Sequence, residues 1–185
     1  MLQNEFWSIS RAQTTVGLLY PSHSPIHLVC YSNFDFAVCK LDRKGTSGTC
    51  HLLGSSLISW HKKKQACVAL STTEAEYIAA ESWCAQILWI KQQLEDLGLK
   101  INKVPLLCEN TSAINLTKNH IQHSRTKHIE ICYHFIRDHV SNGDCEVQLI
   151  KTGRKLADIF TKPLPKDRFF FIRNELGILD SKNLA

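Results

Sequence analysis

The sequence predicts an α/β fold in which helices pack on a mixed β-sheet. Short segments rich in β-forming residues come first and are separated by polar turns. A long segment with helical periodicity follows, and the later strand-like segments alternate with shorter helical ones. Hairpins early in the chain and helical crossovers later place antiparallel and parallel pairs in one sheet.

Size and composition fit one ordinary domain. The chain has 185 residues, and 44% of them are hydrophobic, which is enough for a buried core. Lysine and arginine exceed aspartate and glutamate by 22 to 17, so the formal net charge of +5 permits a polyanionic partner without requiring one. No signal peptide and no apolar run of membrane-spanning length is evident. We therefore expect an intracellular protein, cytoplasmic or nuclear, with no membrane partner.

The 8 cysteines fall singly inside apolar or strand-like segments and never as C-x-x-C pairs. We interpret them as small buried residues of a reducing compartment. Neither a disulfide framework nor a zinc cluster is expected from them.

The first part of the chain predicts short strands. One covers residues 17–21, and a longer one covers 26–37 and carries Asn33 and Asp35. The following elements are a polar hairpin turn over 43–48, strands over 50–53 and 57–60, and a basic turn over 61–64.

The longest helical pattern covers residues 72–97 and ends at Gly98. Ser71 and Glu74 have the spacing of a capping box, which gives Glu74 a structural role. Glu76 lies in phase with the apolar stripe, where a carboxylate is costly unless it is paired, hydrogen-bonded or bound to a metal. The alternative is that Glu76 lies where the stripe meets solvent at the helix start, and periodicity alone favours this alternative.

The second part predicts two further strands and several short helices. Residues 104–108 are an uninterrupted apolar run, typical of a strand buried on both faces, and they end at Glu109. The remaining predicted elements are a helix from 111 or 112 to about 118, a helix ending near 140, a strand over 145–151, and helices over 156–162 and 168–176.

Acidic residues lie on or at the ends of four of these elements, namely Asp35, Glu76, Glu109 and Asp158. If they converge at one side of the sheet, their carboxylates cannot all ionise without a cation. Such a cluster suits hard cations such as Mg²⁺, and two ions about 3.5–4 Å apart activate a water and stabilise the leaving oxygen of a phosphodiester. Taken singly, each acid is a surface residue by default.

Seven segments carry a resemblance to a known family, at residues 31–37, 42–48, 58–65, 68–77, 108–114, 123–129 and 156–163. In this order they resemble the ribonuclease H domain of the Pol polyprotein of copia-type (pseudoviral) LTR retrotransposons. The match extends over about residues 17–177. It predicts a remnant of the connection after the reverse transcriptase over 1–25, a ribonuclease H-like domain over 26–163, and a C-terminal helix and tail over 164–185.

The resemblance implies a ribonuclease H-like fold, a mixed five-stranded sheet flanked by helices. It also implies cleavage of the RNA strand of RNA:DNA hybrids with two Mg²⁺ or Mn²⁺ ions, beside a reverse transcriptase domain of the same polyprotein. The four acids of the family fall on Asn33, Glu76, Glu109 and Asp158. With Asp35 in place of Asn33, the implied metal ligands are Asp35, Glu76, Glu109 and Asp158.

Two of these positions depart from the family pattern. The family has Ser-Asp-Ala-Asp-Trp on the first strand, and this chain has Asn33 at the first aspartate, which we take as the metal bridge. Asp35 is a candidate substitute, but it is shifted along the strand by about 6–7 Å. Glu109 stands where the family has aspartate, so its carboxylate is displaced by one methylene. The alternative to an active nuclease is therefore a non-catalytic relic that binds nucleic acid.

Basic residues suit phosphate contacts, and the candidates for binding nucleic acid are Arg43, Lys44, Lys62, Lys63, Arg125, Lys127 and His128. Solvated loop charges are an equally good interpretation of each cluster taken alone. A zinc site on His120, His123 and His128 is a weaker alternative, because nothing completes a tetrahedral spacing. Trp60 and Trp83 are interpreted as core residues.

Overall fold

A computed structural model describes residues 16–22, 24–35, 45–65, 72–109, 111, 114–115 and 130–180. The side chains at 35, 72–74, 76–78 and 130–133 are outside the described part. The strands are β1 (Val16–Leu18), β2 (Leu28–Asp35), β3 (Thr46–Leu53), β4 (Ser56–Lys64), β5 (Val104–Cys108), β6 (Cys145–Leu149) and β7 (Ile178–Asp180). The labelled helices are α1 (Thr72–Asp96), α2 (Glu130–Ser141), α3 (Asp158–Thr161) and α4 (Lys166–Glu175).

The main sheet has five strands in the order β4-β3-β2-β5-β6. Strands β2, β3 and β4 form an antiparallel meander, whereas β2 with β5 and β5 with β6 are parallel. The chain crosses from β4 to β5 through α1, as a parallel connection requires. The prediction of a mixed five-stranded sheet flanked by helices is confirmed.

Each face of this sheet carries its own apolar core. On one face α1 and α2 pack over β2, β5 and β6, and Trp83, Ile87 and Ile136 are buried there. On the other face α3 and α4 pack over β3 and β4, with Phe160 and Ile172 in the centre. A separate antiparallel pair, β1 with β7, adds to this second face, so the segment before the sheet and the segment after it meet there.

The strands β3 and β4 are longer than the sequence predicted. Residues 46–48 and 61–64, expected as turns, are strand residues that pair with one another, with Thr46 opposite Lys64 and Gly48 opposite Lys62. The polar composition of both segments suggested turns, but an edge strand tolerates lysines because one side of it faces water. For the same reason the core assignment of Trp60 is wrong, since its residue is 41% exposed on β4, while Trp83 is buried as expected.

Smaller sequence predictions can be compared directly. All five described cysteines, at 30, 50, 84, 108 and 145, are buried and none forms a disulfide. The strand over 104–108 is found where expected, with Val104, Leu106 and Cys108 buried and the residues between them half-buried. Within the part of the chain that the structure describes, none of the helices combines the length and apolarity needed to cross a bilayer.

Candidate active site

The centre of the candidate site is a contact between β2 and α3. Asn33, near the end of β2, is 3% exposed, and Asp158, the first residue of α3, is 4% exposed. The Asn33 amide nitrogen donates to Asp158 Oδ1 at 2.7 Å and to the Thr161 hydroxyl at 2.5 Å. The structure thus brings together two of the predicted site residues, which are 125 positions apart in the sequence.

Gly48 makes this contact possible. It lies opposite Asn33 in the β2–β3 pair. A Cβ atom at Gly48 would come within 2.6 Å of Thr161 Cγ2 and 3.0 Å of Phe160 Cβ. Because glycine has no side chain there, α3 rests directly on the sheet and places Asp158 against Asn33.

The orientation of the Asn33 amide follows from the chemistry of its neighbours. A carboxylate oxygen can only accept, so the amide nitrogen must face Asp158. The amide oxygen turns the other way and accepts from the Phe34 backbone N–H at 2.7 Å. Both the nitrogen and the oxygen of the Asn33 amide are therefore hydrogen-bonded to other groups of the protein.

Two cations of the chain surround the Asp158 carboxylate. Lys162 Nζ lies 3.2 Å from Oδ1, one helical turn further along, and Arg168 of α4 lies 3.9 Å from Oδ2. Arg168 is itself held in place by donating to the carbonyls of Gly153 and Thr152. The buried charge of Asp158 is balanced by these side chains.

Glu109, directly after β5, pairs with a third cation. Lys155 Nζ lies 2.7 Å from Glu109 Oε1, and the Lys155 side chain is only 2% exposed while that of Glu109 is 33% exposed. Burial raises the pKa of the Glu109 carboxyl, but the hydrogen bond and charge of Lys155, the Thr152 hydroxyl and the charge of Lys162 outweigh it and lower that pKa overall. Glu109 is held ionised by the chain's own positive charges.

The described side chains do not fit a pair of divalent cations. Asn33 brings no negative charge, its nitrogen cannot ligate a metal, and its oxygen is engaged by Phe34. Asp158 and Glu109 each face an ammonium group at contact distance. Among the side chains that the structure describes, no group of three His, Cys, Asp or Glu could hold a metal ion.

The other predicted ligands lie outside that set of side chains. Asp35 ends β2 opposite Thr46, and Glu76 lies in the first turns of α1, but neither side chain is described. Of the predicted nucleic-acid contacts, Lys62 and Lys63 lie on β4, and Lys63 is exposed. The others, Arg43, Lys44, Arg125, Lys127 and His128, fall outside the described residues, as do the histidines of the zinc alternative.

Three residues of the candidate site were missed by the sequence reasoning, namely Lys155, Lys162 and Arg168. Lys162 could have been found, because it follows Asp158 by four residues in a segment expected to be helical. Lys155 and Arg168 carried no comparable signal. Their partners are set by how the turn at Thr152–Arg154 and helix α4 fold back on the sheet.

The chain has clear relatives among known proteins. Over 174 residues, 93% of the chain, the sequence is 38% identical to the retrovirus-related Pol polyprotein from transposon TNT 1-94 of Nicotiana tabacum. Over 163 residues, 88% of the chain, it is 37% identical to the corresponding polyprotein from transposon RE1 of Arabidopsis thaliana. The matched segments make up only 13% and 11% of those two polyproteins. No family model matches the chain.

Solved structures with the same fold are ribonucleases H. The N-terminal RNase H domain of a Mycobacterium tuberculosis protein aligns with a TM-score of 0.51 at 10% identity, covering 80% of this chain and 97% of that one. LC11-RNase H1, solved in complex with an RNA/DNA hybrid, aligns with a TM-score of 0.54 at 10% identity, covering 72% and 93%. At 10% identity, these structural similarities establish the fold of the chain but not its activity. The chain is thus homologous to one segment of the retrovirus-related Pol polyproteins of transposons, and that segment has the ribonuclease H fold.

Proposed function

We propose that this chain is the ribonuclease H domain of a copia-type retrotransposon that binds RNA:DNA hybrids and has lost their two-metal hydrolysis. The observation that carries the proposal is Asn33, an uncharged residue whose amide faces the Asp158 carboxylate at 2.7 Å. In the family that position is the bridging aspartate. Without its charge the chain lacks the ligand that both Mg²⁺ ions would share.

Hybrid binding is supported by the position of the lysines on β4. Lys62, Gly48 and Asn33 are in register across three neighbouring strands, so Lys62 lies two strands, or about 10 Å, from Asn33. Lys63 and Lys64 continue the same strand and are exposed at the edge of the sheet. A polyanion seated over Asn33 would therefore meet a basic strand edge. In the longer polyprotein, we propose, the reverse transcriptase domain lies beside this surface and shares the hybrid.

A cleavage assay tests the loss of hydrolysis. A hybrid with a labelled RNA strand is incubated with Mg²⁺ or Mn²⁺ and with wild type, Asn33→Asp, or Asn33→Asp with Glu109→Asp. We expect no cleavage by wild type and cleavage by the reverted variants, because reversion restores the bridging charge and the shorter carboxylate. Cleavage by wild type at the rate of the double variant would overturn the proposed loss and support the active two-metal nuclease, with Glu76, Glu109, Asp158 and Asp35 as ligands.

A binding assay tests the partner separately. Fluorescence anisotropy with the same hybrid is measured against salt for wild type, Lys62→Gln and Lys63→Gln. Each lost phosphate contact should weaken binding and reduce the slope of log K against log salt by about 1. Lys103→Gln is the matched control, because Lys103 is half-exposed beside Glu146 at the far end of β5 and loses the same charge. If all three variants weaken hybrid binding equally, the lysines of β4 have no specific role in binding the hybrid.

A further inference from the structure

We propose that the chain replaces divalent metal at this site with its own side-chain cations, and that Lys155 is the one that locks the replacement in place. The inference deepens the proposed function and rests on its premise that Asn33 removes the bridging carboxylate. It adds a specific claim, which is that reverting Asn33 alone does not restore full metal binding. The remaining obstacle is a buried ammonium group on Glu109.

Asn33 and Asp158 form a close contact that two carboxylates could not form by themselves. Two ionised carboxylates at the observed 2.7 Å would repel each other unless a cation lay between them. An amide in place of one carboxylate converts this repulsion into a hydrogen bond. The pair is then stable without any metal, and the Asn33 side chain takes its place in the folded core.

Cations of the chain lie beside both described carboxylates of the site. The two described carboxylates, Glu109 and Asp158, face three cations, namely Lys155, Lys162 and Arg168. A metal ion that approaches Glu109 and Asp158 meets two carboxylates whose charge is already balanced by described side chains. It would have to displace these cations before it could bind either acid.

Lys155 differs from the other two cations in its burial. The Lys162 side chain is 40% exposed and can turn into water when a metal arrives. The Lys155 side chain is 2% exposed, so leaving Glu109 would strand a charged group inside the protein. Its backbone is also fixed, because Arg168 donates to the Lys155 carbonyl at 3.3 Å. Lys155 is therefore the cation that a metal cannot displace at low cost.

The test measures metal alone, with no nucleic acid present, so that its outcome is independent of hybrid binding. Binding of Mn²⁺ is followed by the loss of the electron paramagnetic resonance signal of the free ion. The proteins are wild type, Asn33→Asp, Lys155→Gln, and the double variant Asn33→Asp with Lys155→Gln. The matched control is Asn33→Asp with Lys103→Gln, which removes the same charge from the exposed Lys103–Glu146 pair.

We expect no saturable Mn²⁺ binding to wild type at millimolar concentrations and weak binding to Asn33→Asp. The double variant with Lys155→Gln should bind Mn²⁺ about 10–100-fold more tightly than the double variant with Lys103→Gln. Saturable binding to wild type that disappears in Asp158→Asn would overturn the inference. Equal affinity of the two double variants would overturn the specific role of Lys155.

A second variant covers the case in which Lys155→Gln unfolds. Circular dichroism identifies that outcome, and Lys155→Met in the Asn33→Asp background then replaces it, because methionine fills a similar volume without placing a charge or an unpaired amide in the core. This variant should also raise Mn²⁺ affinity over the Lys103→Gln control. If it leaves the affinity unchanged, Lys155 does not compete with metal and the proposal fails.

Discussion

The two ends of β5 carry the same chemistry in different surroundings. At its amino end Asp144 pairs with Lys91 at 3.3 Å and with His139 at 2.8 Å, and its backbone carbonyl accepts from Val104. At its carboxyl end Glu109 pairs with Lys155 at 2.7 Å. Each end joins a carboxylate to a lysine, but the Lys91 side chain is 18% exposed and that of Lys155 only 2%.

This difference separates a partly solvated ion-pair cluster from a pair with a buried lysine. Water reaches all three side chains of the Asp144 cluster, which are 18–33% exposed, so the cluster ties α1 to the turn before β6 at a lower desolvation cost than a buried pair. Water does not reach Lys155, so that end of the strand depends on the pair staying intact.

Glu109→Gln should give the largest effect on stability. The substitution leaves the Lys155 ammonium buried without its carboxylate, and we expect a loss of about 3 kcal/mol in the free energy of unfolding, at the low end of the range because Glu109 is itself a third exposed. Urea unfolding measures it. Glu146→Gln, at the exposed pair with Lys103, is the control and should cost less than about 1 kcal/mol. Similar losses in both variants would erase the distinction between the two environments.

His51 is a third kind of buried ionisable group, because no opposite charge lies beside it among the described residues. Its residue on β3 is fully buried, and neither ring nitrogen makes a well-formed hydrogen bond within the described part of the chain. Burial lowers the pKa of His51 to about 4 from an ordinary value of 6.5, aided by the charge of His61 and opposed by the Ser59 backbone. The folded protein therefore keeps His51 neutral at a pH where the unfolded chain is protonated.

The lowered pKa of His51 makes the folded protein less stable at acid pH. Since the folded-state pKa is the lower one, the stability from neutral His51 is complete above pH 6.5 and is lost as the pH falls toward 4. The loss is about 1.4 kcal/mol per pH unit in that window. His51→Phe should flatten the stability curve between pH 6.5 and 5, measured by urea unfolding at each pH. A wild-type slope that persists in His51→Phe would assign the effect to other groups.

Asp144→Asn should give the smallest change. The hydrogen bond from His139, then the hydrogen bond and charge of Lys91, lower the pKa of Asp144, so its contribution is complete above the ordinary aspartate pKa and is lost as the pH falls from that value to the lowered pKa. Because water reaches every member of the cluster, we expect less than about 1 kcal/mol at neutral pH. Thermal unfolding of both proteins at neutral and acid pH measures it. A loss as large as that of Glu109→Gln would mean that burial is not what distinguishes the two ends.

Much of the fold could be predicted from local patterns. The helix over 72–97 and the strand over 104–108 agree with the structure to within one residue, because a long stripe of helical period and a short apolar run with clear ends are both local features. The lengths of β3 and β4 could not be predicted in this way. The segments Thr46–Gly48 and His61–Lys64 form strands only because they pair with each other. Local composition, with its serines, glycines and lysines, favoured turns.

The sequence by itself determined the fold class, the segment homologous to transposon Pol polyproteins, and the absence of a charge at position 33. The contacts around position 33 follow from tertiary packing: Gly48 lets α3 approach, the Asn33 amide faces Asp158, and Lys155 pairs with Glu109. The physical reason is that periodicity records which way a side chain faces along its own element. A charge's partner depends on which distant elements pack together, and no local pattern encodes that.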